Sequence, residues 1–552
     1  MSPRLWGGLV AAAFVSQLGA QVVPPAVDPG ALQQQRLQEE RRREEAQRLQ
    51  RAPVPDPLKA VPAPPPPPPV APGAVRFPVR EIRFTASDIL TAQELDAIAR
   101  DYQGRELAFG DLQVLTARVN ALYQAQGIVT AQAIVPPQDV SGGVVTIRLV
   151  EGRVGAINLV GNDSTDAGYV TDRIGLQPNQ LVRLKPLEDD LIRFNRTNDA
   201  QLRAELKPGT QFGTTDLNLT MVEPPRHDLR FFLDNSGGDA TGKWRSGLAY
   251  MNRSLLGWRD QLTLNASRAA GQESYGLGYS VPINRSGGRL GVSWNKDLVD
   301  TKFGPLAPLH VTGRSVALGL SVRQPVHVDQ ALQVDLVANA SRRTGTSWIS
   351  GVFLQETETT DASIGAELQA TDTQGAWFAS YTHTGGKARV SGAARDDRFW
   401  VGRGSLRRTQ ILGERVSLRA SFNFQHTGSP LLPASQQFFI GGETSVRGYA
   451  TGAYGGDSGH SLSLELHHPL GMGAPDVANS GFFFVDHGRV KPFRPPASLL
   501  RPHDELTSVG WGILTQWSGR VSTRLTLAYA PNELPNQRHD YRVHFQLVAG
   551  LL

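Results

Sequence analysis

From Asp228 to the C-terminus the chain is written in short segments whose apolar and polar positions alternate strictly. In "DQLTLNAS", Leu262, Leu264 and Ala266 take one side, and Gln261, Thr263, Asn265 and Ser267 the other. In "RVSLRASFNFQ", Val416, Leu418, Ala420, Phe422 and Phe424 oppose Arg415, Ser417, Arg419, Ser421, Asn423 and Gln425. A period of two is that of a β-strand with two unlike faces. Residues 228–552 have room for about sixteen such strands of roughly ten residues with their turns and loops. A soluble sandwich alternates in the same way. What separates the two is the polar face, which carries arginines strand after strand as the interior of a transmembrane barrel requires.

Before Pro224 the pattern is different. "FPVREIRF" alternates; Thr91 and Glu94 then form a capping box ahead of Leu95, Ile98 and Tyr102, and Gly104 closes that helix. A second helix sets Leu112, Leu115, Val119 and Leu122 on one face and stops at Gly127. The segments "GIVTAQAIV" and "GVVTIRLVEG" read as strands joined by "PPQDVSG". A second unit follows the same order. It has a strand in "VGAINLVG", a short helix near Ala167–Ile174, a helix bearing Leu187, Leu191 and Phe194, and strands around Gln201–Lys207 and Asp216–Glu223. Two tandem α+β modules are expected, over residues 76–151 and 152–224.

Residues 28–51 are rich in helix formers, with Glu39/Arg43 and Glu44/Arg48 spaced as favourable i,i+4 pairs. Apart from Ala31, only Leu32, Leu37, Ala46 and Leu49 are apolar side chains of the segment, so this helix cannot support a core. It suits a solvated stalk or a plug in a hydrated lumen. Residues 52–74 contain eleven prolines, which makes a stiff, extended spacer. At the N-terminus, Arg4 precedes an apolar run from Leu5 to Val15 with small residues before Gln21; this is the layout of a secretory signal peptide over residues 1–20, too short to span a bilayer as a helix.

Composition removes several classes of function. With no cysteine, a disulfide framework, a thiolate metal site and a cysteine nucleophile are all excluded. A formal charge of +5 spread along 552 residues gives no basis for nucleic-acid binding. An exported, cysteine-free chain with an arginine-bearing polar strand face is expected to enter a membrane as a barrel.

The run "FPVREIRF" to "EGRVGAINLVGN", with its "PPQD" and "EGR" elements, resembles the POTRA domains of TpsB two-partner secretion transporters, the haemolysin activator and filamentous haemagglutinin transporter type. "DNSGGDATGKWRSGLAYMNRSLLGWRDQLTL" is similar to that family's passage into its barrel, "SVRGY" to the signature of its long sixth loop, and "FFFVDHGRV" to its F-x-D strand. The resemblance implies a transmembrane β-barrel of about sixteen antiparallel strands, two α+β POTRA domains in the periplasm and an N-terminal plug helix. It implies secretion of a large exoprotein, bearing an N-terminal secretion domain, across the outer membrane of a Gram-negative bacterium without ATP. Outer-membrane lipid is the other partner, the protein is expected to be monomeric, and no cofactor, metal or enzymatic activity is expected; pore (porin) activity is. The alternatives are an outer-membrane protein insertion factor of the wider POTRA-barrel superfamily, or a gated porin without a protein client. The end, "YRVHFQLVAGLL", departs from the terminal aromatic residue of such barrels, although Tyr541, Val543, Phe545, Leu547 and Ala549 share one face.

For sites, the resemblance implies a loop motif of Val446, Arg447, Gly448 and Tyr449 with a wall partner at Phe484 and Asp486, and client contacts at Gln138, Asp139, Glu151 and Arg153. Phe484 and Asp486 lie two apart on one strand and so share a face, and a carboxylate is tolerated only on the lumen side. Glycines around Arg447 allow its loop to pass close to the wall. Two other motifs carry less. "GDSG" at Gly456–Gly459 lacks a preceding histidine motif for a serine nucleophile. His467 and His468 are adjacent on a strand, point to opposite faces and cannot chelate together.

Overall fold

The structure is a computed structural model that describes residues 27–49, 58, 75–392, 396–429, 432–471, 476–492, 503–517, 519–531, 534 and 540–552. The expected signal peptide, and the proline-rich spacer apart from Leu58, lie outside the described residues. The chain divides into two units: Val54–Pro224 forms one, and Met1–Pro53 joins Pro225–Leu552 in the other.

Within the first unit, "FPVREIRF" breaks at Arg80 into β1 (Arg76–Val79) and β2 (Glu81–Phe84), which serve different sheets. Strand β1 pairs with β3 (Arg105–Ala108), a short strand after the first helix. Strand β2 runs parallel to β5 (Val144–Val150), whose other side pairs antiparallel with β4 (Gln132–Ile134). The expected strand over "GIVTAQAIV" thus shrinks to three residues. Ile128 and Ala131 before it are buried in the core, so their apolar character reflects packing rather than strand pairing.

Helix α2 (Ala92–Arg100) begins at the Thr91–Glu94 capping box, and α3 (Phe109–Ala125) buries Leu112, Leu115, Val119 and Tyr123 against the sheet. Fully burying one such side chain is worth about 1.5–3 kcal/mol, so this face holds the module together.

The second module repeats the plan with β6 (Arg153–Val160), α4 (Ala167–Thr171), α5 (Leu184–Thr197), β7 (Gln201–Pro208) and β8 (Thr214–Val222). Its sheet order is β6-β8-β7, with β6 parallel and β7 antiparallel to the central strand. Leu187, Leu191 and Phe194 of α5 are buried over it.

In the second unit, and among the described residues, sixteen antiparallel strands close a barrel. They run from His227–Asp234 to Tyr541–Gly550, and the last pairs with the first, Gln546 opposite Asp234 and Ala549 opposite Phe231. Closure leaves no strand edge to meet lipid. Outward positions are apolar and exposed, among them Leu318, Leu320, Ile364, Phe483 and Val485, while Asp297, Arg343, Arg407 and Asp486 are buried inside. On the last strand the odd positions from Tyr541 face outward and His544 is buried inside.

Inside this barrel lies helix α1 (Pro29–Leu49). Asp28 caps it, accepting from the Ala31 amide at 2.8 Å, and Pro29 occupies the first helical position, where its missing N–H costs nothing. Twenty-one residues reach about 30 Å, one hydrocarbon thickness. No described helix is long and apolar enough to cross a membrane, which says nothing about strands.

Candidate functional site

The long loop between the strands Ser417–His426 and Ser458–Pro469 folds back against the inner wall. Val446 and Tyr449 are fully buried with Phe438, Ile440, Val490, Leu506 and Ala530, an apolar seat that brings the first of the two residues between them onto the strand Val477–Lys491. That residue is Arg447. Its backbone N–H donates to Asp486 Oδ2 at 3.1 Å, its Nε to the same oxygen at 2.8 Å, and its Nη2 to Oδ1 at 2.6 Å. The remaining guanidinium nitrogen, Nη1, donates to Glu465 Oε1 at 2.5 Å, and Nη2 also donates to Ser463 Oγ at 2.9 Å. Its face lies 3.5 Å from the centroid of the Phe484 ring. From the last strand, His544 Nε2 donates to the Arg447 carbonyl at 2.7 Å.

Arg447 is 2% exposed and Asp486 wholly buried, so both charges have left water. Such a pair is tolerated only when its hydrogen-bonding capacity is filled. Asp486 meets that condition with two further donors, Ser463 Oγ at 2.8 Å and Ser508 Oγ at 3.2 Å. Glu465 is shared, taking Arg524 Nη2 at 2.9 Å and pairing with His467 Nε2 at 2.8 Å. Gly448 is needed for the approach: a Cβ there would stand 2.9 Å from Ser508 Cβ and 3.0 Å from Ala530 Cβ.

The same loop reaches helix α1. Glu443 Oε2 accepts from Arg43 Nη2 at 2.9 Å and from Ser236 Oγ at 2.7 Å, and Arg42 Nη1 donates to the Thr444 carbonyl at 3.3 Å. Elsewhere the helix is held by the wall. Asp297 accepts from Arg36 Nε and Nη2, both at 3.0 Å, from Gln33 Nε2 at 2.7 Å and from Ser274 Oγ at 2.6 Å. Glu45 Oε2 accepts from Arg407 Nε at 3.0 Å. Among the described side chains, the buried apolar residues of the helix lie at its N-terminal end, including Ala31 and Leu32, so the helix is held mainly by polar bonds that water can replace.

Of the residues expected at the site, Val446, Arg447, Gly448, Tyr449, Phe484 and Asp486 come together. Glu465, Ser463, Ser508 and His544 complete the cluster, and sequence reasoning missed them. Glu465 carried a faint signal, a carboxylate at an inward position of an alternating strand. Gln138, Asp139, Glu151 and Arg153 lie in the first unit, and each makes hydrogen bonds within it. Gln138 braces β5 through the Thr146 amide (2.7 Å) and carbonyl (2.8 Å), and Asp139 accepts from the Ser141 amide, which holds its carboxyl below the usual range. Glu151 takes the Asp88 amide at 2.9 Å, Ser87 Oγ and the Tyr123 hydroxyl at 3.0 Å. Burial, reinforced by that carboxylate, pushes the Tyr123 phenol up. Arg153 donates to the Asn179 carbonyl at 3.0 Å and to Asp88. These four brace the modules.

"GDSG" forms a strand start in which Ser458 Oγ accepts from the Thr427 amide and Asp457 from that of Leu432. His467 is buried and His468 exposed, on opposite faces of the wall, and no metal-holding cluster occurs among the described residues.

Comparison with known proteins bears on this arrangement. The family described as "Haemolysin secretion/activation protein ShlB/FhaC/HecB" matches residues 213–513, more than half of the chain. The chain belongs to that family. A second family, "POTRA domain, ShlB-type", matches residues 77–152. As a TpsB-family protein it is an outer-membrane transporter of the two-partner secretion type that serves a secreted exoprotein, with its POTRA region in the periplasm.

Similar relatives include the heme/hemopexin transporter protein HuxB of Haemophilus influenzae, 24% identical over 477 residues that cover 82% of this chain and 84% of HuxB. The outer membrane transporter CdiB of Dickeya dadantii is 26% identical over 410 residues, 71% of this chain and 72% of CdiB. Among solved structures, CdiB from Escherichia coli superposes with a TM-score of 0.66 at 20% identity, covering 97% of this chain and all of that one, a likeness of fold.

Proposed function

We propose that this transporter takes the N-terminal secretion domain of its exoprotein at the periplasmic modules and passes it outward, unfolded, through a lumen that α1 occupies at rest. The observation that carries this reading is the position of α1 inside a closed barrel, tied to wall and loop almost wholly by polar bonds. A plug held in this way can be exchanged for a chain that offers other polar groups, without exposing an apolar core and without ATP.

The modules at 76–151 and 152–224 are read as two POTRA domains. Strand β2 stands at one edge of the first sheet and β6 at one edge of the second, where its first residues already pair with Gln180–Val182 through the Arg153–Leu181 bridge, while Leu58 forms a parallel bridge with Ala204 on β7. An unpaired edge accepts an extended segment by strand addition, with backbone bonds supplying affinity. Gln138, Glu151 and Arg153 bond within the modules, so client contact is assigned mainly to these edges, with the exposed Asp139 kept as a further contact. The cluster around Arg447 positions the loop. The transporter is read as a monomer without catalytic chemistry.

The test is export of the exoprotein by cells carrying full-length transporter with a proline in place of Ile82 or Ile157, at the sheet edges. Expected is intact barrel insertion with lost secretion. Normal secretion by both variants would remove the edges from the mechanism.

A further inference from the structure

The outer wall carries a feature that transport does not use. The first strand begins at His227, directly after the periplasmic segment, so the turn between the strands Gly375–Val390 and Asp397–Ile411 lies at the external end of the barrel. Just inside that end, strand register sets one row of outward residues: Leu318 opposite Arg342, Arg342 opposite Thr360, Thr360 opposite Lys387, and Lys387 opposite Arg398. The next row toward the periplasm is Leu320, Ala340, Ala362, Gly385 and Trp400.

Apart from Trp400, which stands beyond its rim, the two rows line a groove of about 690 Å³ on the lipid-facing wall. Its floor is open at Gly385, where a Cβ would meet nothing within 4 Å. Trp400, stacked on His383 at 5.5 Å, is an outward aromatic side chain of the kind that favours the membrane interface. The cationic row lies two residues further out, about 7 Å nearer the headgroups.

The charges on this surface are mixed, and their arrangement decides what fits. Arg342 pairs with Glu358 at 2.8 Å, and Asp396 lies 3.5 Å from Lys387 and 2.9 Å from Arg389. Arg398 is exposed and enters no ion pair among the described residues. Arg342 and Lys387 remain 66% and 60% exposed despite their partners, so both can turn toward a second anion. From Arg342 to Arg398 the row crosses three strand spacings, about 14 Å, wider than one phosphate.

We propose that this groove is a binding site for a phosphorylated glycolipid of the outer leaflet. Phosphates of its headgroup lie on Arg342, Lys387 and Arg398, and acyl chains run down the apolar floor past Leu320, Ala362 and Gly385. Basic residues at a membrane surface bind anionic headgroups by charge. A flat guanidinium adds paired hydrogen bonds to phosphate. A headgroup with more than one phosphate uses the whole row, whereas a phosphodiester such as phosphatidylglycerol engages a part of it.

The test uses the full-length protein, isolated in mild detergent and reconstituted in nanodiscs of phosphatidylglycerol with added lipid A, with bound lipid read by native mass spectrometry. Wild type is expected to retain lipid A, the double variant Lys387→Glu/Arg398→Glu to retain about tenfold less or below, and Gly385→Leu, which fills the floor and keeps the charges, to lose it as well. Heat-modifiable migration verifies that each barrel is folded, and a barrel that fails this check is replaced by Lys387→Gln/Arg398→Gln. Equal retention by wild type and the charge variants would overturn the site. So would retention of phosphatidylglycerol as tight as that of lipid A, or displacement of lipid A by excess inorganic phosphate alone.

Discussion

Asp486 accepts three hydrogen bonds from Arg447, one from the backbone N–H and two from the guanidinium, so the wall strand holds both the side chain and the backbone of the loop. A side-chain bond alone would leave the loop free to pivot. Removing either partner leaves a poorly solvated charge, at a cost of about 3–5 kcal/mol for a buried pair. The barrel ladder is far larger, and insertion should survive. Arg447→Ala and Asp486→Ala are expected to insert with normal heat-modifiable migration and to lose most secretion. The double variant is expected to be little worse than either single one, because one interaction can be lost only once. Additive secretion defects would show that the two residues act separately.

Gly448 gives a second test of the same seat, with no charge involved. A methyl group there meets Ser508 and Ala530 at contact distances that require the loop or wall to shift. Overpacking of this kind costs about 1–3 kcal/mol. Gly448→Ala is expected to reduce secretion, and Gly448→Ala with Ala530→Gly, which relieves one of the two contacts and keeps the Ser508 hydroxyl on Asp486, to recover part of it. Wild-type export by the single variant would mean that the seat is loose.

The polar tether of α1 predicts electrical behaviour. Deleting residues 21–51 is expected to raise ion conductance in planar bilayers while much of the secretion persists. Asp297→Asn removes the charge that Arg36 and Gln33 share, and is expected to lengthen open events without abolishing the closed level. Unchanged conductance after the deletion would end the plug reading.

In the first module, the Glu94 carboxyl is held below its usual value by the Thr91 amide, then by the Thr91 hydroxyl. Its folded pKa is depressed. Its contribution is therefore present above the unfolded carboxylate value of about 4.3 and is lost as pH falls through the lower folded value. Thermal melts of residues 75–224, wild type against Glu94→Gln, are expected to differ near neutral pH and to converge in acid. A gap that widens in acid would reverse the sign.

Much of this protein is set by local rules. Alternation in segments such as "DQLTLNAS" specifies strands with one apolar and one polar face, because side chains in a strand have a period of two. The Thr91–Glu94 box starts α2 for reasons contained within four residues. The shared face of Phe484 and Asp486 follows from their spacing, and inward burial of both agrees with it.

Other features depend on residues far apart in the chain. "FPVREIRF" splits at Arg80 because its halves meet different partners, Arg105–Ala108 and Val144–Val150, and no local pattern names them. Glu465 joins Arg447 only because the strand Ser458–Pro469 lies beside Val477–Lys491, with Ser463 opposite Asp486 and Glu465 opposite Phe484. Gln138 and Glu151, polar and in turns, look free in the sequence, and the fold engages both internally. Periodicity along one segment fixes which way a side chain faces. Which residue it meets is decided by strand register and barrel closure, since the bonds that satisfy a buried charge come from chain segments that sequence distance does not order.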